Sequence, residues 1–191
     1  MLKVGLTGNI GSGKSLIAKI FENLQIPVFN ADNEAKKILD SPKVIREIKR
    51  LFGHKISSGN SVDRKALAQI VFNDQSSLDQ LNSIIHPAVR SNFATWAEQQ
   101  TASPYVIYEA AILIESGHYL SLDKIILVTA PEELRIKRVM QRDTATKAMV
   151  QQRMANQWPE EKKIKHADFV IKNDESELLI PQVLKIHDVL F

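Results

Sequence analysis

Apolar positions along this chain follow two alternating patterns. Short, mostly apolar runs occur at Leu2–Thr7, Ile26–Phe29, Tyr105–Tyr108, Lys124–Thr129 and Asp168–Lys172. Runs of this length bounded by Gly, Pro or Asn predict strands, and near-continuous apolar strands belong to sheets buried on both faces. Between them, apolar residues recur at three- and four-residue steps, the helical period. Leu16, Ile17, Ile20 and Phe21 form the first such stripe. Segments near 33–39, 43–51, 63–73, 77–85 and 87–100 follow. Pro87 is expected to open the last of these, because proline fits a first helical turn. The Ser-Ser-Gly-Asn-Ser stretch within Gly53 to Ser61 signals a loop. A further helical stretch covers about 132–165. No internal repeat or low-complexity segment interrupts the series.

Strands alternating with helices predict an α/β fold, a parallel sheet flanked by helices. The long helical stretch between the second and third strands reads as a helical subdomain over about 33–100. The core then comprises about 1–32, 101–131 and 166–191, all within one domain spanning 1–191. Composition leaves this picture unchanged. The chain has 191 residues, 44% hydrophobic and 25% charged, which is ordinary for a soluble globular protein. There is no cysteine, hence no disulfide framework and no thiolate metal site. No signal-peptide pattern or membrane-length apolar run is present, so a cytoplasmic location and no membrane partner are expected.

Charge adds one local feature. The formal net charge is +3 and the pI is near 9.0, which suits polyphosphate ligands. No run of five Lys/Arg exists, so no nucleic-acid partner is expected. The stretch 132–165 carries nine Lys/Arg against five Asp/Glu, concentrating positive charge late in the chain. Arg138 and Arg142 lie four apart there and can share a helix face. They read either as a phosphate-covering pair or as part of a solvated face. Nothing in the pattern specifies an oligomeric state.

The chemistry is most legible at Gly8-Asn9-Ile10-Gly11-Ser12-Gly13-Lys14-Ser15, a complete G-x-x-x-x-G-K-[ST] match. It lies between a predicted strand and a predicted helix, the context a P-loop needs. Its glycines let the backbone turn so that successive N–H groups form an anion nest. Lys14 reaches β- and γ-phosphates, and the Ser15 hydroxyl can ligate Mg²⁺. The helix N-terminus adds partial positive charge.

Ligands of open α/β sheets bind beyond the carboxyl ends of the strands. That rule selects Asp32, after the second strand, and Glu109, after the third. Asp32 reads as a base or nucleophile-orienting group, a water-mediated Mg²⁺ ligand, or a helix cap. Glu109 reads as a Mg²⁺-shell acid or an ordinary surface carboxylate. Asn173, after the fifth strand, is a candidate adenine contact or simply a turn residue. Arg64 and His86 have bland readings as a surface arginine and a structural histidine. Guanine-switch motifs of the Asn-Lys-x-Asp and Asp-x-x-Gly type are absent. A small-molecule kinase is therefore favoured over a switch or a nucleic-acid binder.

Together these residues resemble the dephospho-CoA kinase family. The similarity rests on Val4 to Ser15, Asn30-Ala31-Asp32, Asp63-Arg64-Lys65-Ala66-Leu67, Val71-Phe72 and Ile85-His86-Pro87 with Val89. It continues through Arg138 to Asp143, Arg153 with Gln157, and Ala167-Asp168 to Asn173, covering nearly the whole chain. The resemblance implies a P-loop kinase core with a helical acceptor-binding subdomain and a helical lid over about 132–165. It implies ATP-dependent phosphorylation of the ribose 3′-hydroxyl of dephospho-CoA, the last step of coenzyme A biosynthesis, with Mg²⁺. It places the general base on Asp32 and a lid arginine near the ATP phosphates on Arg142, alongside Lys14. Nucleotide contacts are implied at residues 8–16, Arg138, Arg142 and Asn173, including Asn9, Ile10 and Leu16. Acceptor contacts are implied at Asp32, Arg64, His86 and Glu109, and metal contacts at Ser15 and Glu109. Three positions depart from the family's habit: Asn30 replaces an acid, Leu16 replaces a threonine, and Glu109-Ala110-Ala111-Ile112-Leu113-Ile114-Glu115 lacks the usual proline.

Overall fold

The computed structural model describes residues 1–53, 56–58 and 61–191. The strands are β1 (Leu2–Gly8), β2 (Val28–Asn30), β3 (Ser57–Ser58), β4 (Ser61–Val62), β5 (Tyr105–Glu109), β6 (Lys124–Thr129) and β7 (Phe169–Lys172). The helices are α1 (Lys14–Asn23), α2 (Ala31–Leu39), α3 (Pro42–Phe52), α4 (Arg64–Asn73), α5 (Gln75–Glu98), α6 (Glu132–Asp143), α7 (Lys147–Ala155), α8 (Glu160–Ile164) and α9 (Leu179–Leu190). Two compact units result, one formed by Met1–Asn30 with Gln100–Phe191, the other by Ala31–Gln99.

The first unit is built on a five-stranded, all-parallel sheet in the order β2-β5-β1-β6-β7. Its central strands are buried on both sides, as their unbroken apolar runs require: β5 is buried at all five positions. Register brings the strand ends level. Leu6 and Asn30 both pair with Glu109, and Gly8 pairs with Val128. The loops that follow these strands therefore emerge at one edge of the sheet. Ile17 and Phe21 of α1, with Val183, Ile186 and Leu190 of α9, pack on Val4, Leu6, Ile107, Ile126 and Val128. This core fixes α1, and with it the loop between β1 and α1.

The edge strand β7 has a side-chain partner. Gln182 of α9 accepts from the Lys172 N–H at 2.9 Å and donates to the Lys172 carbonyl at 3.0 Å.

The stretch 132–165 is three helices with a small core of their own. Ile136, Val139, Ala145 and Val150 cluster there, and Ile10 packs against them. A residue of the P-loop is thus part of this core. Among the described residues no helix is long and apolar enough to cross a membrane.

The second unit holds α2 to α5 and the β3–β4 hairpin, whose strands pair antiparallel. The hairpin occupies part of the loop expected over 53–61. Residues 54, 55, 59 and 60 of that loop lie outside the described residues. Side-chain caps start the helices here: Ser41 accepts from Val44 N–H, Asp63 from Lys65 and Ala66 N–H, and Asp74 from Ser77 N–H. Pro87 does not open a helix, contrary to the sequence expectation; α5 runs through it from Gln75 to Glu98. Proline removes the bond its N–H would give to Ser83 O. Ser83 and Pro87 are both exposed, on the side of the helix where solvent can replace that bond. The stripe Ile85, Val89, Phe93 and Ala97 is buried on either side of the interruption and holds the helix together.

Candidate active site

The turn from β1 into α1 is shaped by two glycines at positive φ. Gly11 has φ 81° and lies against the Arg135 backbone, where a Cβ would meet the carbonyl oxygen at 2.5 Å. Gly13 has φ 90° and serves as the N-cap of α1. It has no side chain to cap with, so the first N–H groups of α1 are left open toward the nest. A phosphate chain is suited to supply the acceptors that α3, α4 and α5 obtain from Ser41, Asp63 and Asp74.

Lys14 and Ser15 converge on one carboxylate. Lys14 Nζ lies 2.9 Å from Glu109 Oε1, and Ser15 Oγ donates to the same oxygen at 3.2 Å. The other oxygen, Oε2, accepts from Asn30 Nδ2 at 2.5 Å. Glu109 is only 3% exposed, which overturns its reading as an ordinary surface carboxylate. The register of β2 and β5 explains the Asn30–Glu109 contact, because the two are paired residues at adjacent strand ends. Asn30, the neutral departure from the family pattern, thus supplies a donor where an acid would face Glu109 with like charge.

Hard oxygen ligands suit Mg²⁺, which keeps several waters and uses few protein groups. Ser15 Oγ and Glu109 Oε1 fit that requirement and stand side by side. Among the described residues no cluster of three or more His, Asp or Glu forms an all-protein metal cage.

The residues after the strands hold the P-loop from outside. Asn173 Nδ2 donates to Ser12 O at 2.8 Å, and its carbonyl oxygen accepts from Arg138 at 3.2 Å. Both ends of that amide are engaged by protein, so in this arrangement Asn173 braces the P-loop. Arg138 also donates to the Asn173 backbone carbonyl and pairs with Glu175. Arg142 instead pairs with Asp143 at 2.8 Å, and Arg153 of α7 meets the same carboxylate at 2.8 Å. The two lid candidates therefore share a helix but not a partner. Two arginines hold the Asp143 carboxyl below its usual range, chiefly through the Arg142 hydrogen bond.

Of the remaining candidates, Asp32, Arg64 and His86 lie in the second unit and Leu16 in the first. Asp32 is exposed in the first turn of α2, one residue inside its start, so it is not the helix's N-cap. Arg64 donates to Asp40 at 2.6 Å and to the Lys36 carbonyl at 3.0 Å, fastening α4 to the end of α2. His86 is half-buried in α5, where burial and the Arg90 charge hold its pKa below the ordinary histidine value. Leu16 is 51% exposed in the first turn of α1.

Sequence reasoning missed Lys163, which it grouped with the solvated basic residues of 132–165. Lys163 is fully buried and pairs with Glu115 at 2.7 Å. It also donates to the Ala111 carbonyl at 3.4 Å. Desolvation pushes its ammonium pKa down, against the pull of Glu115. A single lysine among nine basic residues gives no burial signal; only the fold separates it from its neighbours.

A family model described as dephospho-CoA kinase matches residues 2–178. The chain is 39% identical over 191 residues to a dephospho-CoA kinase of Bacteroides fragilis (strain YCH46), covering all of this chain and 93% of that one. A crystal structure from Thermus thermophilus superposes with TM-score 0.89 at 35% identity, covering 98% of this chain and 96% of its own. A dephospho-CoA kinase from Campylobacter jejuni superposes with TM-score 0.71 at 31% identity, covering 97% and 95%. A P-loop set against an uncapped helix, in a chain similar to these proteins along its whole length, identifies this protein as a member of the dephospho-CoA kinase family.

Proposed function

We propose that this chain transfers the γ-phosphoryl group of ATP to the ribose 3′-hydroxyl of dephospho-CoA, giving CoA and ADP. The observation that carries the reading is the convergence of Lys14 and Ser15 on buried Glu109, at the open N-terminus of α1. Phosphoryl transfer asks the protein mainly for positioning and charge neutralisation. The nest and Lys14 supply both to the β- and γ-phosphates, with Lys14 exchanging Glu109 for phosphate oxygens. Arg142, released from Asp143, and Arg138 add positive charge as the helices of 132–165 cover the nucleotide. Such covering also excludes water and limits wasteful hydrolysis.

Asp32 acts as the general base in this reading. It takes the proton of the acceptor 3′-hydroxyl as that oxygen bonds to the γ-phosphorus. The β–γ bridging bond then breaks and ADP leaves with the bond's electron pair. Mg²⁺, held by Ser15 with Glu109 beside it, supplies charge neutralisation on the phosphate oxygens when bound. Arg64 and His86 contact the acceptor in the same reading.

An acceptor panel with γ-labelled ATP tests the proposal. Label passing to dephospho-CoA, with nucleosides, nucleotides and shikimate unlabelled, is the expected result. Transfer to one of the others but none to dephospho-CoA makes the chain a different small-molecule kinase.

A further inference from the structure

One side chain outside the catalytic set touches both halves of the phosphate site. Gln157 lies in the short segment between α7 and α8. Its Oε1 accepts from the Ile10 N–H at 2.8 Å, and its Nε2 donates to the Ala111 carbonyl at 3.3 Å. Ile10 is in the P-loop; Ala111 lies two residues beyond Glu109. The links close a ring. From Ile10 the chain runs through the P-loop to Lys14, crosses the ion pair to Glu109, follows the backbone to Ala111, and returns through the Gln157 amide.

The surroundings fix that amide in place. The Trp158 carbonyl accepts from Asn9 Nδ2 at 3.2 Å, giving the P-loop a second tie to the same segment. The Trp158 N–H donates to Glu115 Oε1 at 3.1 Å. Lys163 pairs with Glu115 and joins Gln157 and Thr7 Oγ1 on the Ala111 carbonyl. The Gln157 position needs one acceptor and one donor on a single planar group. Among side chains of this length only an amide provides both at neutral pH, where a carboxylate only accepts.

We propose that Gln157 is a positioning residue for phosphoryl transfer, resting on the P-loop and Glu109 assignment above. Its amide sets the distance between the P-loop and the strand end carrying Glu109. Lys14 and the arginines of α6 then meet the same phosphates. Gln157 also lies two residues beyond α7, so it anchors the end of the helix that carries Arg153. It touches no reacting atom; it acts through Ile10 and Ala111.

The experiment compares Gln157→Met, which keeps length and removes both hydrogen bonds, with Gln157→Glu, which keeps only the acceptor for Ile10. Lys14→Ala serves as the control for the site itself. Transfer to dephospho-CoA, ATP hydrolysis without acceptor, and thermal unfolding are measured for each. Loss of a preorganised contact acts on the transition state, so Gln157→Met is expected to lower kcat about 10-fold or more. KM for both substrates stays within about twofold, and the ratio of hydrolysis to transfer rises several-fold, as for an interaction realised only at the transition state. Gln157→Glu falls between Gln157→Met and the unsubstituted enzyme. Unchanged kcat and hydrolysis ratio in Gln157→Met, with Lys14→Ala inactive, overturns this proposal and leaves the site assignment standing. Full transfer by Lys14→Ala overturns the site assignment on which it rests. A change confined to KM, or unfolding of both Gln157 variants where the unsubstituted enzyme is folded, makes Gln157 a binding or fold residue and also overturns it.

Discussion

Lys14, Asp32 and Lys163 show how differently single residues declare themselves. Lys14 was legible because its role requires a fixed spacing from three glycines, and spacing survives in sequence. Asp32 was selected by its place just after the second predicted strand. Asp32→Asn is expected to lower kcat about 10²- to 10⁴-fold, the usual contribution of a positioned base. ATP affinity, read by equilibrium binding, should change little; near-normal turnover would remove Asp32 from the role. Lys163 was hidden, because burial of one cation depends on partners distant in the chain. Lys163→Met strands the Glu115 charge in the interior and is expected to cost about 3–5 kcal/mol in urea unfolding. Replacing Glu115 by Gln as well should restore most of that stability, since the pair then leaves no charge behind. His86 gives a pH signature. Its folded pKa is lowered by burial and Arg90. The neutral form is therefore favoured by folding, and the unfolded chain binds the proton more readily. Its contribution is present above pH 6.5 and is lost as pH falls below that value toward the folded pKa. Substituting His86 with Gln should flatten the fall in melting temperature between pH 7 and pH 5; an unaltered slope would show that other groups set it.

At the scale of elements, periodicity gave strands and helices correctly wherever packing and propensity agreed. All five sheet strands were legible, because a parallel sheet buried on both faces imposes near-continuous apolar runs. Pro87 is where the two signals part. Proline's backbone argues for a helix start, but Ile85, Val89, Phe93 and Ala97 keep the helical step across it. Packing wins because the bond that is lost faces water. Pro87→Ala should therefore lengthen the hydrogen-bond ladder and raise stability, by up to about 3 kcal/mol on helix propensity alone. Chemical denaturation checks this, and a loss of stability would mean the proline geometry is itself required. The two-stranded β3–β4 hairpin was not legible, because strands of two residues carry no period. The bracing of the P-loop by Asn173 and Gln157 was hidden for a related reason. Each joins segments over 140 residues apart, and a motif of eight consecutive residues contains no record of what supports it from outside.

Across the whole molecule, the open parallel sheet gathers strand ends at one edge, and that is why a generic loop becomes a specific site. Register sets Asn30 beside Glu109 and brings the end of β1, which leads into the P-loop, level with them. The same architecture creates a hazard, because an open sheet ends in strands whose outer hydrogen-bonding groups have no strand beside them. At β7 the Gln182 amide occupies the Lys172 N–H and carbonyl together, as a neighbouring strand would. A second chain approaching this border finds that rung already taken, next to a lysine whose charge disfavours a close match. One glutamine in α9 thus guards that rung of the β7 border against pairing with the sheet of another molecule.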